Sequence, residues 1–232
     1  MNVKLFADGA DLEHILHLAA DERIRGFTTN PTLMWKAGLT DYSEFCHRLL
    51  AEITDRPISF EVFADEPEEI RRQARTLAGW GPNVYVKVPV TTTRGESLAP
   101  VVRDLSADGV QVNVTALFTP GQVSEITAAV ADGAPSCISV FAGRIADTGR
   151  DPLPIMREAL EIMCAAPRAE LIWASPRELL NVVQADAIGC HIITCTSDVL
   201  AKLATLGKDL EQFSLETVQM FHRDAVTAGF EL

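Results

Sequence analysis

The sequence predicts a single (β/α)₈ barrel, with an additional helix at its C-terminal end. Eight apolar, β-rich segments recur along the chain, and segments with helical signals separate them. A length of 232 residues is ordinary for such a barrel, and no linker rich in Pro, Gly or Ser interrupts the alternation. Residues 1–232 are therefore assigned to one domain. An open, doubly wound sheet is the alternative, since alternation alone does not establish closure.

The eight predicted strands are short runs rich in Val, Ile, Phe and Thr. In chain order they cover residues 3–8, 25–29, 58–63, 84–90, 110–117, 137–143, 170–175 and 191–196. The clearest helical signals between and after them cover residues 11–22, 65–80, 119–133, 151–166, 175–186 and 197–207. Residues 214–229 then predict the additional helix, so that 214–232 form a C-terminal helix and tail outside the eightfold count.

Composition and charge exclude several classes of function. The formal net charge of −12 argues against a general nucleic-acid-binding or anionic-membrane surface. The five cysteines are odd in number and none forms a C-x-x-C pair, and the sequence has no signal peptide or apolar run of membrane length. We therefore expect reduced thiols and a cytoplasmic protein. His14 and His17 lie one helical turn apart without a carboxylate-rich strand end, so no metal site is predicted.

Lys87 lies in the middle of an otherwise apolar, β-branched segment, "NVYVKVPV". Such a segment is typical of a strand that is covered on both faces. A lysine there either reaches water at the end of the strand or is a buried amine kept for chemistry. Other predicted strands also carry polar side chains near their carboxyl ends, where the active sites of (β/α)₈ enzymes lie. These are Asp8, Thr28-Thr29-Asn30, Glu61, Asn113, Thr115, Ser139 with Phe141 and Arg144, and Ser175 with Arg177.

These residue types together point to imine chemistry on a sugar phosphate. A desolvated lysine loses proton affinity and becomes a nucleophile for carbonyl groups, and Glu61 with Thr115 and a water is suited to the proton transfers. Asp8 is suited to move the proton of a hydroxyl beside a breaking carbon–carbon bond. The remaining residues are suited to bind substrate: Asn30, Asn113 and Ser139 at hydroxyls, and Arg144, Ser175 and Arg177 at a phosphate.

Five motifs in this chain resemble the transaldolase family. They are "FTTNPT" (27–32), "VKVPV" (86–90), "VNVTALFT" (112–119), "SVFAGRIAD" (139–147) and "ASPR" (174–177), and they occur in the family's order along nearly the whole chain. The resemblance implies a short, single-domain transaldolase or fructose-6-phosphate aldolase-like enzyme. Such a class I aldolase transfers a dihydroxyacetone unit from a ketose phosphate, fructose 6-phosphate or sedoheptulose 7-phosphate, to an aldose phosphate, without metal or organic cofactor. It belongs to carbohydrate metabolism and the pentose phosphate pathway.

The resemblance also assigns roles to individual residues. Lys87 matches the lysine that forms the Schiff base, Asp8 matches the acid/base of carbon–carbon cleavage, and Glu61 with Thr115 matches the pair that positions the catalytic water. The substrate-binding positions are Thr28, Asn30, Asn113, Ser139, Phe141, Arg144, Ser175 and Arg177. The family further implies a homo-oligomer, whether a dimer, a pentamer or a decamer, with the last helix reaching a neighbouring subunit.

Two residues distinguish between activities within the family. Fructose-6-phosphate aldolases carry a glutamine and a tyrosine where this chain has Glu61 and Phe141. The resemblance therefore favours transfer over an aldol reaction with free dihydroxyacetone. Trp173, Pro176 and the loop 91–97, with Arg94 and Glu96, depart from the common pattern. These departures leave open an unusual acceptor from a specialised pathway. A non-catalytic barrel that only binds sugar phosphates is a further alternative.

Overall fold

A computed structural model describes residues 1–231 of the chain. Its centre is a closed barrel of eight parallel strands, β1 to β8, in which each strand pairs with its neighbours in sequence and β8 pairs with β1. The strands span Lys4–Asp8, Ile24–Thr28, Ile58–Glu61, Val84–Pro89, Val112–Leu117, Ser136–Val140, Ala169–Trp173 and Ile192–Cys195. The predicted (β/α)₈ barrel is confirmed, and the open sheet is excluded.

The described residues form eleven α-helices, α1 to α11. They span Leu12–Ala19, Pro31–Lys36, Tyr42–Glu52, Pro67–Ala78, Ala99–Ala107, Pro120–Val130, Ala142–Ala146, Leu153–Met163, Leu179–Ala187, Ser197–Ala201 and Leu210–Ala228, with a 3₁₀ turn at Lys202–Thr205. Both β2 and β6 are followed by two helices rather than one. In each pair the first helix is short and stands directly after the strand, so it begins at the rim where the site lies.

The strands are apolar on both faces because the barrel encloses a packed interior. Phe6, Cys137, Ile172 and Ile192 form one buried cluster from β1, β6, β7 and β8. Strands β1 and β6 are not neighbours in the sheet, so these side chains meet across the inside of the barrel. Gly26 makes room for the Phe6 ring, since a Cβ at this position would lie 2.5 Å from it. This packing closes the barrel below the polar residues at its carboxyl end.

Two strand boundaries differ from the sequence-based expectation. β6 was expected to reach residue 143 but ends at Val140, and Phe141 is the N-cap of α7. β7 was expected to reach Ser175 but ends at Trp173, and Ser175 adopts a left-handed backbone conformation with φ of +58°. In both places the chain turns out of the strand at the rim. Phe141 and Ser175 therefore project from turns and not from strands.

Residues 1–200 form one compact unit, and the residues from Ala201 onward form a second. Within the second unit, α11 begins four residues earlier than expected, after Asp209, whose side chain accepts a hydrogen bond from the Gln212 N–H at 2.8 Å. The helix ends at Gly229, whose φ of +67° favours glycine. The additional C-terminal helix is thus confirmed, while the predicted tail reaches residue 232, which lies outside the described residues. No helix within residues 1–231 is long and apolar enough to cross a membrane.

Candidate active site

The carboxyl end of the barrel contains a cavity of about 580 Å³. All twelve residues that the sequence predicts for the site line this cavity: Asp8, Thr28, Asn30, Glu61, Lys87, Asn113, Thr115, Ser139, Phe141, Arg144, Ser175 and Arg177. They come from β1 to β7 or from the residues just after these strands, because parallel strands bring all their carboxyl ends to one rim. Thr194 and Thr196 from β8 and the turn after it also line the cavity, and the sequence reasoning did not include them.

Lys87 is the buried cation at the floor of this cavity. Its side chain is only 10% exposed, and Nζ donates a hydrogen bond to Glu61 Oε1 at 2.7 Å and another to the Thr29 carbonyl oxygen. Glu61 stands directly opposite Lys87 in the pairing of β3 with β4, so the ion pair follows from the strand register. A buried ammonium group requires such a partner, since burial without one is costly. The pair also gives the lysine proton a nearby acceptor.

The second oxygen of Glu61 is held by Thr29. Thr29 Oγ1 lies 2.8 Å from Glu61 Oε2 and 2.9 Å from the Ser59 carbonyl oxygen. Thr29 is completely buried at the end of β2. Thr115 was predicted to work with Glu61, and it does line the cavity, but its hydroxyl makes no direct hydrogen bond to Glu61 within the described chain. Thr29 is therefore the hydroxyl that contacts this carboxyl group directly.

Asp8 lies in the same cavity and is bonded by two side chains of the β2 end. Thr28 Oγ1 donates to Asp8 Oδ1 at 2.9 Å, and Asn30 Nδ2 donates to Oδ2 at 3.2 Å. Thr194 Oγ1 lies 2.5 Å from the Thr28 hydroxyl. Because Thr28 has one proton and donates it to Asp8, Thr194 is the donor in that pair. Burial raises the pKa of Asp8, while the charge of Lys87 opposes this effect.

Asn113 and Ser139 form a polar strip along the cavity wall. Ser139 Oγ donates to Asn113 Oδ1 at 2.7 Å, and Asn113 Nδ2 donates to Ser59 Oγ at 3.0 Å. These bonds fix which way the Asn113 amide faces, because its oxygen accepts from one side and its nitrogen donates to the other. Both side chains are buried. The strip offers oriented hydrogen-bonding groups to a polyhydroxylated substrate.

Two arginines lie at the rim beside β6 and β7. The Arg144 guanidinium stands over the Phe141 ring, with Cζ 5.2 Å from the ring centroid. Arg177 makes two hydrogen bonds to Asp147, at 3.0 Å from Nε and 2.5 Å from its terminal nitrogen. This ion pair is half exposed, and it lowers the pKa of Asp147 through those hydrogen bonds and raises the pKa of Arg177. Part of the Arg177 charge is therefore already neutralised.

The Ser175 turn and the start of α7 are in close contact. The Gly143 N–H donates to the Ala174 carbonyl at 3.3 Å, and a Cβ on Gly143 would lie 1.5 Å from the Ser175 carbonyl oxygen. Only glycine permits this approach. The contact brings Arg144, on the next residue of α7, to the same corner of the cavity as Ser175. Ser175 has a left-handed backbone conformation that is uncommon for residues other than glycine, and strained backbone of this kind is frequent at functional sites.

Residues that depart from the common family pattern have different places in the structure. Pro176 lines the cavity, whereas Trp173 is completely buried on β7. None of residues 91–97 is among those that line the cavity. Arg94 in this loop makes ion pairs with Glu66 at 2.9 Å and with Glu96 at 3.3 Å. The loop is thus bonded to the β3–α4 connection, and not to the predicted phosphate site.

Comparison with known proteins places these observations in a family. A family model described as Transaldolase/Fructose-6-phosphate aldolase matches residues 5–232. The chain belongs to this family. Its relatives include a probable transaldolase from Herpetosiphon aurantiacus, 34% identical over 99% of this chain and 100% of the relative. A probable transaldolase from Streptococcus agalactiae serotype V is 36% identical over 88% of this chain and 90% of the relative. The resemblance expected from the motifs is confirmed.

Solved structures of other proteins share the barrel with this family member. KGPDC from Streptococcus mutans covers 84% of this chain and 88% of its own, with a TM-score of 0.58 and 12% identity. A putative phosphonomutase from Burkholderia cenocepacia covers 90% and 94%, with a TM-score of 0.59 and 14% identity. At such identities the likeness concerns the fold alone.

One of the two histidines named above is bonded to another side chain. His14 Nε2 lies 2.5 Å from Ser197 Oγ, so this side chain is half-buried rather than fully solvated. His17 is exposed on the same helix. Within residues 1–231, no group of three or more His, Cys, Asp or Glu side chains is arranged to hold a metal ion.

Proposed function

We propose that this protein is a transaldolase, which transfers a dihydroxyacetone unit from a ketose phosphate to an aldose phosphate through an imine at Lys87. The observation that carries the proposal is the buried Lys87–Glu61 pair, 2.7 Å apart, in the same cavity as Asp8. Imine chemistry needs an amine that can lose its proton, a group to take it, and a second acid/base at the reacting carbon chain. The cavity holds all three.

The first step forms the imine. Glu61 takes a proton from the Lys87 ammonium group, and the neutral amine attacks the ketose carbonyl carbon. Glu61 returns the proton to the hydroxyl group of the resulting carbinolamine, this group leaves as water, and a protonated imine remains. A protonated Glu61 can donate to the Thr29 hydroxyl, whose own proton then bonds the Ser59 carbonyl at 2.9 Å. The neutral Glu61 carboxyl, the Thr29 hydroxyl and the Ser59 carbonyl then all have hydrogen-bond partners.

The second step breaks the carbon–carbon bond. Asp8 accepts the proton of the hydroxyl next to that bond, the bond cleaves, and its electron pair moves onto the imine nitrogen to give an enamine. The aldose phosphate leaves. The enamine then attacks the carbonyl of the acceptor aldose phosphate, Asp8 returns the proton, and water releases the new ketose. The raised pKa of Asp8 suits a group that alternates between both forms.

Substrate binding uses the walls of the cavity. Asn30, Asn113 and Ser139 face the sugar hydroxyls, and Thr28 orients Asp8. Arg144, Ser175 and Arg177 bind the phosphate, for which Arg177 shares its guanidinium with Asp147. Arg144 makes no ion pair with any described residue within 4.0 Å, and so it is the cation with the greater electrostatic effect on the phosphate.

Glu61 and Phe141 support transfer rather than an aldol reaction with free dihydroxyacetone. The aldol reaction with free dihydroxyacetone is the alternative, because the family includes both transaldolases and fructose-6-phosphate aldolases. Phe141 lies at the cavity wall, where a tyrosine would add a hydroxyl. We expect Phe141→Tyr to raise turnover with free dihydroxyacetone. An unchanged rate with this donor would remove Phe141 as the discriminating residue, and turnover of fructose 6-phosphate that is as fast without an acceptor as with one would favour the aldolase.

Borohydride trapping tests the imine directly. The protein is incubated with fructose 6-phosphate or sedoheptulose 7-phosphate, reduced, and analysed by intact mass and by peptide mapping. A reduced adduct on the peptide that contains Lys87, absent in Lys87→Ala, is the expected result. Lys87→Ala should also lose turnover while it still folds. A wild-type protein that is stabilised by sugar phosphates but gives no adduct and no product would be a binding barrel.

We also propose that the protein works in the cytoplasm, in the pentose phosphate pathway. The five cysteines are free and four are buried, which supports a reducing cytoplasm, and the pentose phosphate pathway uses both candidate donors. An acceptor screen over aldose phosphates distinguishes this pathway from a specialised one. Product formation with an aldose phosphate outside the pentose phosphate set, at higher kcat/KM, would identify the specialised pathway.

We also propose a homo-oligomer that covers the apolar side chains of α11. The large apolar residues of this helix are strongly exposed: Leu210, Phe213, Leu215, Val218, Met220, Phe221 and Val226. Exposed apolar patches of this extent mark interaction sites. Light scattering coupled to size exclusion should give a mass of two or more times the 25.3 kDa of one chain. A Val218→Asp, Phe221→Asp variant should shift it towards the monomer, and an unshifted mass would place the interface elsewhere.

A further inference from the structure

On its side facing β2, the end of β3 at Glu61 lacks the backbone partner that the sheet would supply. The pairing of β2 with β3 ends at Thr28 and Ser59. Continued by two residues, this register would bring the Glu61 N–H opposite the Thr29 carbonyl oxygen. That oxygen instead accepts a hydrogen bond from the Lys87 ammonium group. The buried Glu61 N–H therefore needs another acceptor.

Tyr42 supplies it from outside the barrel. The Glu61 N–H donates to the Tyr42 hydroxyl oxygen at 2.7 Å, and the hydroxyl in turn donates to the Glu61 carbonyl oxygen at 3.3 Å. Tyr42 is the first residue of α3, and its position is set by the Asp41 N-cap, which accepts from the Glu44 N–H at 2.9 Å. One phenol hydroxyl thus bonds both backbone groups of Glu61, as a neighbouring strand would do.

The ring of Tyr42 is held in an aromatic cluster. It packs edge to face against Phe63, with centroids 4.7 Å apart, and it also contacts Phe60 and Trp80 at 6.3 and 6.5 Å. Aromatic pairs in these arrangements are attractive beyond their buried area. Burial raises the pKa of Tyr42, and the negative charge of Glu61 adds to the effect. The hydroxyl consequently keeps the proton that it donates.

We propose that Tyr42 is a positioning residue for Glu61, an inference that rests on the proposed role of Glu61 in imine chemistry. Tyr42 satisfies the Glu61 backbone, and this leaves the Thr29 carbonyl to the Lys87 ammonium group. Without the hydroxyl, the Glu61 N–H and the Lys87 ammonium compete for the same oxygen. The carboxyl group then loses its fixed distance from the amine, and proton transfer slows while substrate binding is untouched.

The first test measures the hydrogen bond itself. Tyr42→Phe removes only the hydroxyl, and Tyr85→Phe is the matched control, because the chain has two tyrosines and the Tyr85 hydroxyl makes no hydrogen bond within residues 1–231. Hydrogen–deuterium exchange is followed on a peptide covering residues 58–63. One amide in this peptide should exchange roughly five- to tenfold faster in Tyr42→Phe, as expected for one lost hydrogen bond. Equal exchange in both variants overturns the proposed contact.

The second test asks whether the contact acts through Glu61. Tyr42→Phe should lower kcat roughly five- to tenfold with KM for the phosphorylated donor unchanged, since Tyr42 bonds the backbone of β3, whereas the proposed phosphate-binding residues follow β6 and β7. The same hydroxyl removal in a Glu61→Gln background should have a much smaller effect on kcat. Such non-additivity is the sign of two residues that act together. Additive losses, or a kcat equal to that of Tyr85→Phe, overturn the positioning role.

The two proposals fail in different ways. If wild-type protein gives no borohydride adduct, the imine proposal falls, and the positioning role for catalysis falls with it, although the exchange experiment still reports the Tyr42 contact. If wild-type protein gives the adduct while Tyr42→Phe has wild-type kinetics, the imine proposal stands and only the inference about Tyr42 is wrong.

Discussion

Gly143 is the residue whose substitution tests the geometry of the rim most directly. Its backbone lies against the Ser175 turn, and a Cβ on Gly143 would be 1.5 Å from the Ser175 carbonyl oxygen and 2.6 Å from the carbonyl carbon. A carbon–oxygen contact needs roughly 3.3 Å. Gly143→Ala therefore requires the two backbone segments to separate by nearly 2 Å. The obstacle is main chain, so no side-chain rotation relieves it.

The magnitude follows from this displacement. Overpacking in a well-packed site costs about 1–3 kcal/mol, and a clash with a backbone carbonyl belongs at the upper end. A loss of about 3 kcal/mol lowers the Tm of a protein of this length by about 6–12 °C. The shift also moves Arg144 and Ser175 apart. The loss of one charge-assisted contact to the phosphate then raises KM for phosphorylated donors about tenfold.

Thermal unfolding and donor kinetics measure both effects, and Gly121→Ala serves as the control. Gly121 lies in the first turn of α6, where the nearest atom to an added Cβ is 3.9 Å away. This substitution should be neutral or stabilise the fold by about 0.4–1 kcal/mol. The reasoning would be refuted if Gly143→Ala unfolded within about 2 °C of the wild type with an unchanged KM.

Three further predictions concern charge and burial. Because burial raises the pKa of Asp8 above 3.8, the free energy of unfolding should fall as pH rises from there through the folded-state pKa. Asp8→Asn cannot titrate and lacks this fall. In urea unfolding, the free energy of unfolding of Asp8→Asn minus that of the wild type should therefore increase with pH. A difference that is independent of pH would contradict the raised pKa of Asp8. Arg144→Ala should raise KM for phosphorylated donors about tenfold and Arg177→Ala less, because Asp147 already pairs with Arg177; equal effects would count against this. A maleimide should label native protein once, at the exposed Cys164, and rapid labelling of the four buried cysteines would contradict their burial.

The barrel was predictable because its signals repeat along the chain. Each strand is an apolar run of the length that a buried parallel strand needs, and errors of one residue do not change the alternation. The predicted ends of β6 and β7 were wrong because a tertiary contact ends both strands. Phe141 and Ala142 continue the apolar run after β6, but the contact of Gly143 with the Ser175 turn ends both strands early. No local propensity encodes a contact between two loops.

The site residues that lie at the carboxyl ends of strands could be predicted from the sequence. The parallel pairing of β3 with β4 places Lys87 opposite Glu61, which is why their proximity could be expected from the order of the strands. Thr29 was noted only as a polar residue at a strand end, without a role, and the partners Thr194 and Tyr42 lacked a signal. Threonine is an ordinary strand residue, and Tyr42 is the first residue of a helix that the sequence-based assignment did not include. Their roles depend on which backbone groups are left without partners, and this is a property of the folded sheet.

The anchored loop after β4 has a kinetic consequence. Arg94 and Thr93 join residues 91–97 to Asp65 and Glu66, and these residues do not reach the cavity mouth. In the proposed mechanism, a loop held there would not cover the enamine while the first aldose phosphate leaves and the second arrives. In the proposed mechanism, protonation of the enamine, which leads to release of dihydroxyacetone, competes in that interval with attack of the enamine on the acceptor. The ratio of transfer to release of dihydroxyacetone should then rise with the concentration of the acceptor and with the affinity of the site for it. This ratio therefore depends on the cellular concentration of the acceptor as well as on the protein.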